Sequence, residues 1–230
     1  MESSTDPGGT AAGDLTGRAR IRDAALRVFA ERGFKGATVQ LIADAAGVST
    51  GLIRHHFGSK EGLREVCDAF AIGALLDQAD RSLGDEAAEP GFMTGMLNES
   101  EASSRYLARA LIEGSPAASA LFDKGTRAAE GFLSQRWPDR FPPGSAAVRD
   151  AAAVMGAMHL GPLVLHAHLS RLMGADVLAR AHAARTPAAM VAVYGAMAEF
   201  FGGTEGARIG DAVTRESEAS APDAEGRDER

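Results

Sequence analysis

Apolar side chains return every three or four residues along most of this chain, and nowhere do apolar and polar positions alternate strictly over the length of a strand. Clusters of Val, Ile, Thr and Tyr bounded by turn residues are also missing. The pattern predicts an all-α fold. Its first helix spans residues 16–32, where Ile21, Ala25, Val28 and Phe29 form the apolar stripe and Gly33 follows as a stop. Thr38 is a good N-cap for a short helix that turns Val39, Leu41, Ile42 and Ala45 inward and ends at Gly47. Ser49 caps a second short helix through residue 56, and Ser59 caps a long one carrying Leu63, Val66, Phe70, Leu75 and Leu76. After a linker at 84–91, helices are expected near 100–113 and 116–136. A long helix at 145–173 should be kinked or divided by Pro162, and a last one runs over 187–201, where Pro187 suits a first helical position.

Composition adds the limits. Of 230 residues, 45% are hydrophobic and 24% charged, which excludes wholesale disorder and suits one or two small domains. Residues 1–15 and 204–230 hold few large apolar side chains, so both are expected to be disordered tails, the second of them acidic. The formal net charge of −7 argues at first against a polyanionic partner. Its distribution reverses that: the two tails carry −3 and −4, residues 67–203 carry −4, and residues 16–66 carry +4. A single cysteine, Cys67, leaves no intramolecular disulfide to form and is expected to be a small buried hydrophobe. No signal peptide and no membrane span are expected, which points to a cytoplasmic protein with no membrane partner.

The most informative stretch runs from Thr38 to Lys60. Two short helices joined by a three-residue turn can cross closely only where small residues meet. Ala43 lies at that point, and Gly47 supplies the left-handed turn. Ile42, Ala46, Val48 and Ile53 provide the apolar contacts of a helix-turn-helix. The segment continues through Gly51-Leu-Ile-Arg-His-His-Phe57 into Gly-Ser-Lys60-Glu61-Gly-Leu63, and is preceded by Ala30, Gly33-Phe34 and Thr38. Together these residues closely resemble the DNA-binding domain of the TetR family of transcriptional repressors, over about residues 16–66. One departure is Arg54, where the family usually has tyrosine.

The resemblance implies a two-domain homodimer: a headpiece over 16–66 and a helical effector-binding and dimerisation domain over 67–203. The third helix would enter successive major grooves of a palindromic operator in double-stranded DNA. Thr50 and His55 can hydrogen-bond base edges, and Leu52 either meets a thymine methyl or belongs to the core. By matching motif positions, Thr38, Arg54, His56 and Lys60 would contact phosphates, with Gln40 as an extra contact. His56 has an alternative structural role, satisfying a backbone carbonyl.

Past residue 80 the resemblance loosens. The dimer interface would fall on helices at about 145–173 and 187–201; the last offers Met190, Val191, Val193, Tyr194, Met197 and Phe201 on one broad face. An unknown small-molecule effector would bind among Phe92, Met96, Tyr106, Phe122, Trp137, Met155, His159 and His166, each of which could equally be core filling. His166 and His168 point to different sides of a helix, and no carboxylate or cysteine joins His159 and His166 at ligand spacing, so no metal and no cofactor are expected. No catalytic set appears: phosphate loop, nucleophile elbow and His-Glu metal motif are all missing. The favoured reading is a ligand-released repressor, not an enzyme. The alternatives are a helical small-molecule-binding protein or enzyme with a vestigial headpiece, and a nonspecific DNA-organising protein, which would need a more basic body.

Overall fold

The computed structural model describes residues 8–83 and 101–220. The linker expected at 84–91 and the candidates Phe92 and Met96 lie outside the described residues. Among the described residues the chain is all-α. The helices are α1 (Gly8–Gly36), α2 (Val39–Ala46), α3 (Thr50–Phe57), α4 (Lys60–Leu83), α5 (Glu101–Ile112), α6 (Pro116–Arg136), α7 (Ala146–Val164), α8 (His166–Met173), α9 (Arg185–Gly202) and α10 (Thr204–Ser220).

Serine and threonine caps set most starts. The side chains of Thr38, Ser49, Ser115 and Ser145 each accept the backbone N–H three residues on, satisfying one of the donors a helix start leaves open. Ser59 does the same for Gly62 at 3.0 Å. Gly33 is non-helical (φ 68°, ψ 170°), so the stop expected there is present, with one further turn to Gly36. The long helix expected at 145–173 is divided at Leu165, and its halves α7 and α8 meet at 63°. Pro162, three residues before, has no N–H for the carbonyl of Met158, which weakens the last turn of α7.

Contacts divide the chain into two units, Met1–Ala184 and Arg185–Arg230. In the first, α1 packs on α2, α4 and α5, and α6 lies along α7. One apolar cluster joins Ile21, Leu26 and Phe29 of α1 to Ile42, Ile53 and Leu63, and continues into Tyr106, Leu107 and Leu121. Each large side chain buried there stabilises the fold by about 1.5–3 kcal/mol relative to exposure. The boundary expected between residues 66 and 67 lies within the unbroken α4, whose Leu63 and Cys67 both belong to this cluster. A second cluster holds Ala129, Leu133, Val148 and Ala152, and a third Ala108, Val177 and Leu178.

In the second unit α9 and α10 form a helical hairpin. Gly206 is buried at its turn, where a Cβ would stand 2.3 Å from the Phe200 carbonyl oxygen. On α9, Val191, Val193, Met197, Phe200 and Phe201 are exposed.

Both tails need correction. Residues 8–15 lie in α1 and residues 204–220 form α10, although composition predicts no structure there. Ala, Glu and Arg are good helix formers and are frequent in 204–220, so a segment poor in large apolar residues can still add a helix to a hairpin; residues 8–15, with three glycines, extend the helix already formed over 16–32. Leu41, Ala45 and Phe70 are also exposed rather than inward, whereas Ala43 and Ala46 are buried. Among the described residues, no single helix is long and apolar enough to cross a membrane.

Candidate nucleic-acid interface

The helix-turn-helix is built on a small buried frame. Ile42, Ala43 and Ala46 of α2 and Ile53 and Phe57 of α3 face the core. Ala43 and Ile42 are fully buried, so nothing larger than a methyl fits where the two axes approach. Gly47 takes the left-handed conformation (φ 64°, ψ 42°), and the N–H of Val48 returns to the Ala43 carbonyl at 3.0 Å, closing α2 in a Schellman-type end. This pins the angle between α2 and α3.

What the frame leaves outward is polar. Thr38, Gln40, Arg54 and His55 are exposed, and Thr50, Leu52 and His56 are half-buried. Thr38 uses its hydroxyl oxygen to cap α2, accepting from Leu41 N–H at 3.1 Å, which leaves its O–H free to donate elsewhere. Gln40 Nε2 donates to Asp44 Oδ1 at 2.8 Å. Leu52 packs partly against the main cluster and leaves the rest of its side chain outward. The rings of His55 and His56 meet edge to face at 5.4 Å, and His56 meets Phe57 at 5.9 Å. Arg54, His55 and His56 all fall in the last turn of α3, where cations are favoured by the helix dipole.

Lys60 differs from its expected placement. Its Nζ donates to the carbonyls of Phe34 (2.9 Å) and Ala37 (3.0 Å) and lies 4.3 Å from the Phe34 ring centroid. Two of its three N–H donors are therefore spent inside the protein. Nothing local announces this, because the carbonyls lie 26 and 23 residues back along the chain.

Arg18 is a further base that the motif positions do not single out. It is exposed, and its guanidinium sits 5.6 Å from the Phe57 ring centroid, beside the end of α3. Its only sequence signal is its positive charge near the start of the helix expected over 16–32. Other bases of the headpiece are built into the fold: Arg22 lies 3.6 Å over Phe70 and bonds Asp23, and Arg64 lies 4.5 Å over Phe34.

Among the described residues, the effector candidates do not converge on one place. Tyr106 is buried in the main cluster, 6.1 Å from the Phe29 ring, and donates its hydroxyl to Asp68 Oδ1. Burial and that hydrogen bond push the phenol far above its ordinary range, so it remains a donor at every relevant pH. A shallow cleft beside it, lined by Phe29, Phe34, Arg64, Tyr106 and Arg109, holds about 10 Å³, room for one water. Phe122 and Met155 lie in the seam between α6 and α7. Trp137 is exposed at the end of α6 against Phe132. His159 Nδ1 is 2.7 Å from the Met155 carbonyl oxygen, and His166 Nδ1 is 2.8 Å from that of Leu163.

The chain also matches known proteins. The family described as bacterial regulatory proteins, tetR family, matches residues 21–67. The HTH-type transcriptional regulatory protein RaaS of Mycobacterium tuberculosis is 38% identical over 125 residues, 53% of this chain and 58% of RaaS. The HTH-type transcriptional repressor AcnR of Corynebacterium glutamicum is 38% identical over 96 residues, 40% of this chain and 47% of AcnR. The HTH-type transcriptional repressor KstR2 of Rhodococcus jostii is 50% identical over 46 residues, 20% of this chain and 22% of KstR2. The chain thus spans about half the length of RaaS and AcnR, and less of KstR2. The family match falls on the segment whose buried frame and outward polar face are described above, so over residues 21–67 the chain resembles the tetR family of bacterial regulatory proteins.

Proposed function

We propose that this chain is a cytoplasmic transcriptional repressor that binds a palindromic operator as a homodimer and is released by a small molecule. The observation that carries the reading is α3: two turns of helix, locked from behind by Ile53 and Phe57, with Arg54 and His55 exposed and Thr50 and His56 half-exposed. A helix presented this way fits a major groove, where Thr50 and His55 read base edges and Arg54, with Arg18 alongside, neutralises phosphate. Thr38 and His56 add backbone contacts. Lys60 contributes at most its one remaining N–H. The names of RaaS, AcnR and KstR2, all transcriptional regulators, agree with a regulator rather than an enzyme.

Exposed apolar side chains support self-association: Val154, Met158 and Leu165 on or next to α7, and Val191, Val193, Met197 and Phe201 on α9. An effector is supported by Thr126, whose Oγ1 is buried without a hydrogen-bond partner. It faces Gly156 beside Phe122, where a Cβ on Gly156 would stand 3.5 Å from the oxygen. A ligand polar group in that seam would satisfy it. Release then requires the effector to bind the dimer with wrongly spaced headpieces more tightly than the other, since equal affinity shifts nothing.

The test is Arg54→Ala in fluorescence-anisotropy titrations over a range of salt. A phosphate contact predicts weaker binding on all sequences alike and a salt slope smaller by about 1. A changed base preference with an unchanged slope would remove Arg54 from the phosphate-contact role.

A further inference from the structure

One face of α4 carries a ladder of charged groups at intervals of four residues: Lys60, Arg64 and Asp68. Its lower rung is the ammonium of Lys60 on the carbonyls of Phe34 and Ala37. Those carbonyls lie just before α2 and Lys60 lies just after α3, so this one side chain closes residues 38–59 into a loop. The ring of Phe34 then spans the first two rungs, with Lys60 Nζ 4.3 Å and the Arg64 guanidinium 4.5 Å from its centroid. Arg64 Nε lies 3.8 Å from Asp68 Oδ2. Asp68 takes the hydroxyl hydrogen of Tyr106, which belongs to α5. Phe29 backs both ends, 5.7 Å from Phe34 and 6.1 Å from Tyr106.

The groups depend on one another. Without the Tyr106 hydroxyl, the half-buried Asp68 carboxylate has Arg64 as its remaining partner and draws it off Phe34. Phe34 then loses one of its two cations, and the backbone held by Lys60 loosens at the entrance to α2. None of these side chains lies on the exposed face of α3, yet together they hold both ends of the helix-turn-helix.

We infer that Tyr106 and Asp68 are positioning residues for DNA binding: through Arg64, Phe34 and Lys60 they fix where the helix-turn-helix sits relative to α5. This inference rests on the DNA-binding reading. It assigns Tyr106 to the frame rather than to an effector site, and makes the α4–α5 contact a determinant of how well the headpiece discriminates its operator from other DNA.

The experiment compares the full-length chain with Tyr106→Phe, Asp68→Asn and Phe34→Leu. Affinity is measured for a duplex selected by the wild type and for a scrambled duplex, at one salt concentration and at least 20 °C below each melting point. Tyr106→Phe removes only an oxygen, and Phe34→Leu keeps the site apolar while removing the ring. Each is expected to weaken operator binding about tenfold, comparable to losing one hydrogen bond to a charged group. Scrambled-duplex binding should stay within about twofold, because phosphate contacts far from the ladder persist. The Tyr106→Phe/Asp68→Asn double variant should lose no more than the worse single one. A role in stability alone would lower melting temperature and leave the ratio of the two affinities unchanged. An unchanged ratio in all three variants overturns the inference while leaving the DNA-binding reading intact; a wild type that selects no sequence overturns both.

Discussion

Replacing Gly33 with alanine tests how the headpiece is joined to α5. Gly33 has φ 68° and ψ 170°, a region open essentially to glycine alone. Forcing an L-residue into it costs about 1–3 kcal/mol. The new Cβ would also stand 2.2 Å from Glu113 Oε1 and 2.8 Å from Arg109 Nη2. Those atoms belong to an ion pair of 2.7 Å between partly exposed side chains, at 43% and 32% exposure. Both are flexible ends that can move aside, and such a pair is worth roughly 0–1 kcal/mol. The backbone strain therefore dominates, and the whole effect is about 1–4 kcal/mol. At roughly 2–4 °C per kcal/mol for a unit of this size, the melting temperature should fall by about 2–16 °C in calorimetry. Adding Glu113→Ala to Gly33→Ala should recover less than about 1 kcal/mol, since it relieves the clash and leaves the dihedral strain. A melting point within about 1 °C of wild type would refute the assigned strain. Full recovery in the double variant would show that the side-chain collision outweighs the strain.

Three further expectations follow from single contacts. Burial pushes the Cys67 thiol up to about 12, so at pH 8 only about one molecule in ten thousand carries a thiolate; a disulfide reagent should label Cys67 in step with unfolding, and rapid labelling of the folded protein would contradict its placement. Ser49→Ala removes the acceptor for Leu52 N–H and should cost about 1 kcal/mol in denaturant unfolding, with weaker DNA binding because the first turn of α3 frays. Burial raises the Asp68 carboxyl above its ordinary 3.8, against the pull of Tyr106 and Arg64, so the folded state binds a proton that the unfolded chain has already released. Ionised Asp68 then costs stability above its folded pKa, and the cost fades as pH falls through that value toward 3.8; Asp68→Asn should therefore be at least as stable as wild type at pH 7, with its advantage shrinking in acid.

Features set by near neighbours in the chain are the legible ones. Thr38, Ser49 and Ser59 announce their caps because the bond spans three residues, and Gly33 and Gly47 announce their turns because few other residues adopt those angles. The division of the helix after Pro162 follows from a missing N–H. The buried frame of Ile42, Ala43 and Ala46 is likewise readable from spacing. Contacts across long separations are not. Lys60 looks like an outward cation and turns inward to carbonyls more than 20 residues back, and Tyr106 looks like a pocket residue and bonds Asp68, 38 residues away. Apolar periodicity says that Phe122 and Met155 sit on helices and Trp137 at the end of one, but not that they face different neighbours. Composition underestimates α10, whose small and charged residues are enough for a helix in a hairpin.

Whether α3 reads DNA as one of a pair can be decided by repeated selection of duplexes from a randomised pool with the full-length chain. Two copies of α3 acting together predict a recurring motif of two inverted half-sites, with centres about 34–36 Å apart or a multiple of that spacing. Retained duplexes with no shared motif would contradict it.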